Sequence, residues 1–334
     1  MTVVDTARAH QAERADVAAA AVERAFALWS TLEVARLSES FDDGVGDRLF
    51  VQVSVAQLTA ASSADPFVSL ALADQGASTA AVGVTVPRAL AGVASDGRDL
   101  TSLLYQPVIT AKRQIAGGLS PAAAFEVGRA ELGMIVGTQV ADAGRVADAV
   151  ATVARPAATG YVRVLSPPSC GRCAVLAGRV YRSNADFLRH PRCDCTSAPA
   201  VGGAADAVRT DPKAYFESLS GAEQDRYFTS AGARAIREGA DVGQVVNARR
   251  GASGLSSAGR LTAAERAALD GPGPRRLGRV DAYGREVFIT REGARPGGRG
   301  AARSPRLMPE SIFEIAGDDR AEAQRLLRQF GYIT

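Results

Sequence analysis

The feature that most constrains this chain is a cluster of cysteines near its middle. All four cysteines of the 334 residues lie between positions 170 and 195, and one of the two histidines lies among them. Zinc prefers a tetrahedron of thiolate and imidazole ligands, and structural sites supply them as two close pairs joined by a spacer. The cluster therefore predicts a structural zinc site, with the candidate ligands Cys170, Cys173, His190, Cys193 and Cys195.

Three donors compete for the second half of this predicted site. Cys170 and Cys173 form the first pair, and the glycine between them suits a tight turn around the ion. We interpret His190 and Cys195 as the second pair, on the expectation that Cys193 and Cys195 face opposite sides of a strand. Cys193 is then a supporting residue. Because ligation requires deprotonated sulfur and neutral imidazole, metal binding is expected to fold this part of the chain.

Two other uses of these cysteines fit the sequence less well. Two disulfides are typical of secreted proteins, whereas the N-terminus here is charged and polar and does not resemble a secretion signal. A redox Cys-x-x-Cys pair normally opens a helix after a buried strand of a βαβ unit, which the flanking residues do not predict. Neither use explains His190 or the second pair of cysteines.

The chain contains few residues suited to catalysis. Its only histidines are His10 and His190, and its only lysines are Lys112 and Lys213. No G-x-S-x-G, P-loop or H-E-x-x-H motif occurs. Five donors for four places also leave no open position at the zinc for a reactive water. The sequence therefore predicts a structural Zn²⁺ and no enzyme.

Residues 1–155 are predicted to form a helical domain. Apolar residues make up 46% of the chain but aromatic residues only 6%, and the abundant alanine favours closely packed helices. No run of about 18 apolar residues occurs, so no transmembrane helix is expected. Helices are predicted over 5–40, 47–61, 99–115 and 120–153, with a loop or an extended piece at 76–87. The apolar face of the last helix is predicted to contain Phe125, Leu132, Val136, Val146, Val150 and Val153.

Shorter segments are predicted after residue 155. Strands are expected at 161–165 and 178–181, with the first cysteine pair near the turn between them, and a third extended piece at 193–196. Nine arginines between 275 and 306 stand against three acidic residues, so this stretch is either a DNA contact or a solvated arm.

The predicted fold is mainly α and has five parts. They are a helical domain at 1–155, a zinc-binding β module at 156–203, short helices at 204–250, a Gly- and Arg-rich linker or arm at 251–306, and C-terminal helices at 307–334. The linker or arm is predicted to include a hairpin at 279–289.

Around the cysteines the sequence resembles a known family, the phage head morphogenesis proteins. These are minor head proteins related to protein F of phage Mu. Residues 233–251 and 307–333 are similar to the actinobacteriophage branch of this MuF-like family, and the resemblance covers about residues 90–334. The motif that carries it consists of Cys170-x-x-Cys173, Gly178 with its aromatic strand, and His190-Pro-x-Cys193-x-Cys195.

The resemblance implies a minor capsid protein that acts structurally in prohead assembly at or near the portal. It implies the portal protein and the major capsid or scaffold protein as partners, with no membrane. The implied location is the interior of the phage head, and the host cytoplasm during assembly. Members of this branch are often labelled capsid maturation proteases, although no catalytic set can be assembled from these residues. The alternative functions are a prohead protease or nuclease, and a zinc-dependent nucleic-acid-binding protein that contacts DNA through 275–306.

Overall fold

The computed structural model describes residues 2–182, 195–202, 211–248, 255–257, 288–290 and 306–333. This part of the chain is mainly helical, as predicted, and contains two small antiparallel sheets of three strands each. The chain divides into two compact units. The first comprises Met1–Pro168 and Ala177–Arg209, and the second comprises Ser169–Leu176 and Thr210–Thr334.

Long helices build the first unit, and two of them begin at a residue whose side chain caps the helix. Asp99 and Ser120 accept hydrogen bonds from the backbone N–H groups three residues later, which fixes the start of two helices. Single helical turns lie at Val34–Arg36, Phe41–Val45 and Pro87–Leu90. The helices are α1 (Val3–Trp29), α2 (Leu37–Ser40), α3 (Gly46–Ser62), α4 (Ala64–Ala73), α5 (Leu100–Ala116) and α6 (Pro121–Val153).

The helix predicted over 5–40 is shorter than expected. It ends at Trp29, where the hydroxyls of Ser30 and Thr31 donate hydrogen bonds to carbonyl oxygens three residues earlier. Such bonds compete with the backbone bonds of a continuing helix. The helices predicted at 47–61, 99–115 and 120–153 and the loop predicted at 76–87 are confirmed.

Helix α6 is the axis of the first unit and packs against α1, α3, α4 and α5. It buries Leu132 and Val136 as predicted. The prediction was wrong for Val146, Val150 and Val153, whose exposed fractions are 44%, 43% and 58%. In this half of the helix the buried positions without a polar side chain are held by small residues, namely Ala143, Gly144, Ala147 and Ala151.

A three-stranded sheet completes the first unit. Its strands are β1 (Gly160–Val164), β2 (Val180–Arg182) and β3 (Thr196–Ala200), in the order β2-β1-β3. Tyr161 lies opposite Tyr181 on one side and Pro199 on the other. The two strands predicted around the first cysteine pair are confirmed. Of the third extended piece predicted at 193–196, residues 193 and 194 lie outside the described part, and β3 begins at Thr196. Side chains of β1 and β3 share a buried cluster with α1 and α4, so the sheet and the helices have a common core.

Short helices and three short strands form the described part of the second unit. Leu326, Leu327 and Phe330 are buried inside it, so the C-terminal helix docks on its own unit. Of the hairpin predicted at 279–289, all but the last two residues lie outside the described part. The elements are α7 (Gly171–Leu176), α8 (Pro212–Ser218), α9 (Gly221–Phe228), α10 (Ser230–Arg237), α11 (Val242–Ala248), β4 (Leu255–Ser257), β5 (Phe288–Thr290), β6 (Arg306–Leu307), α12 (Pro309–Ala316) and α13 (Arg320–Gln329), with the strand order β4-β5-β6.

Candidate metal centre

Cys170 and Cys173 lie at the start of α7, in the second unit. The carbonyl oxygen of Cys170 accepts a hydrogen bond from the N–H of Ala174 at 3.1 Å, so the helix begins at this cysteine. Residues three apart in a helical turn are neighbours on its surface. Cys170 is half-buried, and Cys173 is buried with an exposed fraction of 2%. This placement suits two sulfur ligands of one ion.

A clamp from α8 fixes the backbone immediately before Cys170. The hydroxyl of Tyr215 accepts a hydrogen bond from the N–H of Ser169 at 2.6 Å and donates one to its carbonyl oxygen at 2.8 Å. Burial raises the pKa of Tyr215, and the charge of a Cys170 thiolate adds to this effect. A raised pKa keeps the phenol protonated, which the second of the two hydrogen bonds requires.

Gly171, between the two cysteines, serves helix packing. A Cβ atom at this position would lie 2.8 Å from the ring of Phe228, so only glycine lets α7 approach α9 this closely. Phe228 in turn packs edge-on against Phe216 at 5.2 Å between ring centroids. The sequence predicts a turn around the ion here, whereas the structure has a short helix whose close contacts explain the glycine.

Cys195 lies in the first unit, directly before β3, and is fully buried. The side chain of Gln75 holds β3 by donating a hydrogen bond to the carbonyl oxygen of Pro199 at 2.9 Å. His190 and Cys193 lie outside the described residues. Strand geometry does not support the reason for preferring Cys195 over Cys193, since strand residues two apart share one face. That preference stays a prediction.

The described cysteines are of the residue type that structural zinc sites use. Thiolate sulfur is the usual ligand in such sites, and a closed site excludes water. Cys173 and Cys195 are both almost completely removed from solvent. No group of three or more His, Cys, Asp or Glu side chains placed to hold a metal is found among the described residues, which omit two of the five predicted ligands. The complete ligand set stays a prediction.

A buried ionic cluster in the first unit was not predicted from the sequence. Asp148 on α6 accepts hydrogen bonds from both terminal nitrogens of Arg14 on α1, and its Oδ1 lies 3.2 Å from Nε2 of His10. The His10 ring stacks on Phe67 at 3.8 Å. A Cβ atom on Gly144 would lie 2.9 Å from Nε of Arg14, so this glycine makes room for the guanidinium.

This cluster connects α1 to α6 and is closed to solvent. The exposed fraction is at most 6% for each of its members, His10, Arg14 and Asp148. A substrate cannot reach side chains this deeply buried, so the cluster is unsuited to proton transfer. The available sequence signal was the spacing of His10 and Arg14 by four residues, which places both on one face of a helix. Nothing local identifies Asp148, more than 130 residues later, as their shared partner.

A second polar contact fixes the loop that follows α4. Nη1 of Arg155 donates to Oδ1 of Asp65 at 2.9 Å, and its Nη2 donates to Oγ of Ser69 at 2.9 Å. The N–H of Thr85 donates to Oδ2 of Asp65 at 2.9 Å. Burial alone would raise the pKa of Asp65, but the hydrogen bonds from Arg155 and Thr85 outweigh it and lower that pKa. The carboxylate therefore holds the end of α6 and the loop together.

Comparison with known proteins places the chain in a family. A family model described as VG15 protein matches residues 1–222, about two thirds of the sequence. This chain belongs to the VG15 family. The family is phage-associated. No curated protein and no solved structure matches the chain.

The VG15 match includes the whole cysteine cluster and ends just after α8. It overlaps the region that resembles the Mu F-related proteins, but it does not establish that finer relation, which stays a prediction. Within the described part of this VG15 protein, none of the helices combines the length and the apolar character needed to cross a membrane.

Proposed function

We propose that this VG15 protein is a minor capsid protein of a tailed phage that acts structurally in prohead assembly. The observation that carries the proposal is the VG15 match across residues 1–222. The resemblance of the cysteine motif to the Mu F-related head proteins supports the narrower assignment. The sequence lacks a recognisable catalytic set, and the buried His10–Asp148 pair is inaccessible to a substrate. Both observations favour a structural role over a protease or nuclease.

The proposed partners are the portal protein and the major capsid or scaffold protein. The proposed location is the interior of the phage head, with the host cytoplasm as the site of assembly. Nine arginines between positions 275 and 306 support a non-specific contact with packaged DNA. If this contact forms, binding to duplex DNA weakens steeply with salt and is lost when residues 275–306 are deleted. Salt-independent binding, or equal binding by the deleted chain, would contradict it.

In this proposal the cysteine cluster holds one structural Zn²⁺. Support comes from the two cysteines at the start of α7, the Tyr215 clamp beside them and the burial of Cys195. The ion would supply fold stability, because zinc–thiolate bonds form only when the ligands are brought together. Cys170, Cys173, His190 and Cys195 are the proposed ligands, with Cys193 as the alternative to Cys195.

The virion role is tested by quantitative mass spectrometry of purified phage particles. The protein is expected in mature heads at a few copies per portal ring, and an amber mutation in its gene is expected to reduce the yield of DNA-filled heads. A protein absent from both proheads and virions would contradict the proposal. Cleavage of a capsid or scaffold protein by the purified chain, lost on a single Ser or Asp substitution, would favour the protease.

The zinc site is tested by elemental analysis of protein purified without added metal. About one zinc per chain is expected from a single four-ligand site. Cys173→Ser and His190→Gln are expected to lower the zinc content, and comparison of Cys193→Ser with Cys195→Ser identifies the last ligand. The control is Glu39→Gln at an exposed position of the first unit, which is expected to leave the zinc content unchanged. Protein with four reduced thiols and no zinc would contradict the site.

A further inference from the structure

Two Asp-Gly dipeptides lie in exposed turns of the first unit. They are Asp43–Gly44, in the helical turn between α2 and α3, and Asp96–Gly97, shortly before α5. Both aspartates are exposed, and both glycines have positive φ, 90° for Gly44 and 81° for Gly97. A Cβ atom at either glycine would meet nothing within 4 Å, so the space around each backbone is open. The two turns therefore match in exposure and in the conformation of their glycines.

The carboxylates of the two aspartates differ in how they are held. Oδ1 of Asp96 accepts a hydrogen bond from the backbone N–H of Arg98 at 3.1 Å, and its Oδ2 accepts one from Nε of the same arginine at 2.7 Å. The side-chain bond from Arg98, followed by the backbone bond, lowers the pKa of Asp96, so this carboxylate is kept ionised. Among the described residues, no hydrogen bond or ion pair involves the side chain of Asp43.

An aspartate that precedes glycine can react with its own backbone, because its short side chain reaches the next amide nitrogen. That nitrogen attacks Cγ, the carboxyl group loses its hydroxyl as water, and a succinimide ring forms. Water then opens the ring. Opening at the α-carbonyl leaves the chain running through Cγ, which is isoaspartate, and restores the water that was lost. A carboxylate held ionised by a cation reacts slowly, since the oxygen must be protonated before it leaves.

We propose that Asp43–Gly44 is a site of spontaneous isoaspartate formation and that Arg98 protects Asp96–Gly97 from the same reaction. The backbone dihedral angles at Asp43 and Gly44 are not helical, with ψ of 34° at Asp43. The attack therefore does not require a regular helix to open. The reaction needs water alone, and the exposed position of Asp43 supplies it.

Isomerisation would lengthen a turn that is anchored at both ends. Phe41 and Val45, which flank the reacting residues, are 3% and 4% exposed. The ring of Phe41 packs edge-on against Tyr105 at 5.3 Å between ring centroids. Isoaspartate adds one methylene to the backbone between these two anchors, so both cannot keep their positions. We expect the modified protein to unfold at a lower urea concentration than the unmodified protein.

The proposal is tested by ageing the full chain at neutral pH and locating isoaspartate by peptide mapping. Electron-transfer fragmentation in the mass spectrometer distinguishes isoaspartate from aspartate in each peptide. Isoaspartate is expected to accumulate at Asp43 at least about 10-fold faster than at Asp96, because charge-assisted hydrogen bonds hold only the second carboxylate. The map also separates both positions from Asp270–Gly271, which lies outside the described residues.

Two variants at exposed positions separate the effect of Arg98 from that of the dipeptide itself. Arg98→Gln removes the side-chain bond to Asp96 and is expected to raise the rate there at least about twofold. The rate should stay below that of Asp43, because the N–H of Gly97 still donates to the carbonyl oxygen of Ala94 at 3.0 Å. Asp43→Glu is the matched control. Its longer side chain would have to close a larger ring, so modification at position 43 is expected to disappear while Asp96 is unchanged.

Three results would overturn the proposal. The first is an equal rate at the two aspartates of the unaltered chain. The second is an unchanged rate at Asp96 in Arg98→Gln. The third is the absence of isoaspartate at Asp43 during a period in which a free peptide of residues 40–47 converts. Far-ultraviolet circular dichroism verifies that both variants are folded.

Discussion

Asp148→Asn tests how the first unit is held together. The substitution preserves the shape of the side chain but removes the negative charge that faces Arg14. Both residues are inaccessible to water, with exposed fractions of 5% for Arg14 and 1% for Asp148. The guanidinium would then remain buried without a counter-charge, and His10 would lose the carboxylate 3.2 Å from its ring nitrogen.

The expected magnitude follows from the burial of the pair. An ion pair on the surface contributes about 0–1 kcal/mol because water screens it. Removing one partner of a buried pair destabilises a protein by about 3–5 kcal/mol. Arg14 contacts the carboxylate through both terminal nitrogens, so the larger range applies. Asp148→Asn is therefore expected to remove a large fraction of the roughly 5–15 kcal/mol that stabilises a typical domain.

Urea unfolding monitored by Trp29 fluorescence measures this loss. Trp29 is the only tryptophan and is fully buried in the first unit, so its signal reports on that unit alone. This matters because a chain of two units need not unfold in one transition. The control is Glu39→Gln, which removes an exposed pair with Arg36 and is expected to change the free energy of unfolding by less than about 1 kcal/mol.

A double replacement separates the charge from the shape of the cluster. Arg14→Met with Asp148→Leu removes both charges together, and hydrophobic replacement of a whole buried pair is often neutral. The double variant is therefore expected to recover most of the stability lost in Asp148→Asn. The reasoning is refuted if Asp148→Asn loses less than about 1 kcal/mol, or if the double variant is no more stable than the single one.

Three further substitutions test other contacts. Because the pKa of Asp65 is lowered by folding, its ionised form stabilises the native state, and that contribution is lost as the pH falls below 3.8. Asp65→Asn should lower stability at pH 7 and weaken the acid dependence in a pH series of urea titrations. Thr229 has φ of 66° and ψ of 152°, a region that only glycine occupies easily, so Thr229→Gly should raise the free energy of unfolding by about 1 kcal/mol in calorimetry. Tyr215→Phe leaves the backbone of Ser169 without its hydrogen bonds to the phenol and should lower the free energy of unfolding by about 1–3 kcal/mol in urea titrations.

The starts of capped helices were easier to predict from the sequence than helix faces. The starts of α5 and α6 depend on caps at Asp99 and Ser120, which bond to residues three positions away. A face depends on which elements lie beside the helix. In the second half of α6 the adjacent elements pack so close to the helix that alanine side chains fill the space between them. The valines at 146, 150 and 153 therefore lie on the exposed face of the helix.

The conformation of the first cysteine pair was not predictable from the sequence, and the full ligand set stays a prediction. The cysteine spacing indicates ligands without any knowledge of the fold. The six-residue helix α7 could not be predicted, since a helix of that length is unstable alone and depends on tertiary contacts. Those contacts come from Tyr215 and Phe228, more than 40 residues later in the chain.

The second unit is discontinuous in sequence, and this has a consequence for synthesis. The segment that contains α7 is made between β1 and β2 of the first unit, whereas the rest of its own unit begins at Thr210. A ribosome therefore releases Cys170 and Cys173 well before Tyr215 and Phe228, on which their helix rests. All residues of the first unit are available earlier. We expect the nascent chain to complete the first unit before Tyr215 and Phe228 are available to pack beside the cysteine pair. A chain terminated near residue 210 would therefore expose both thiols.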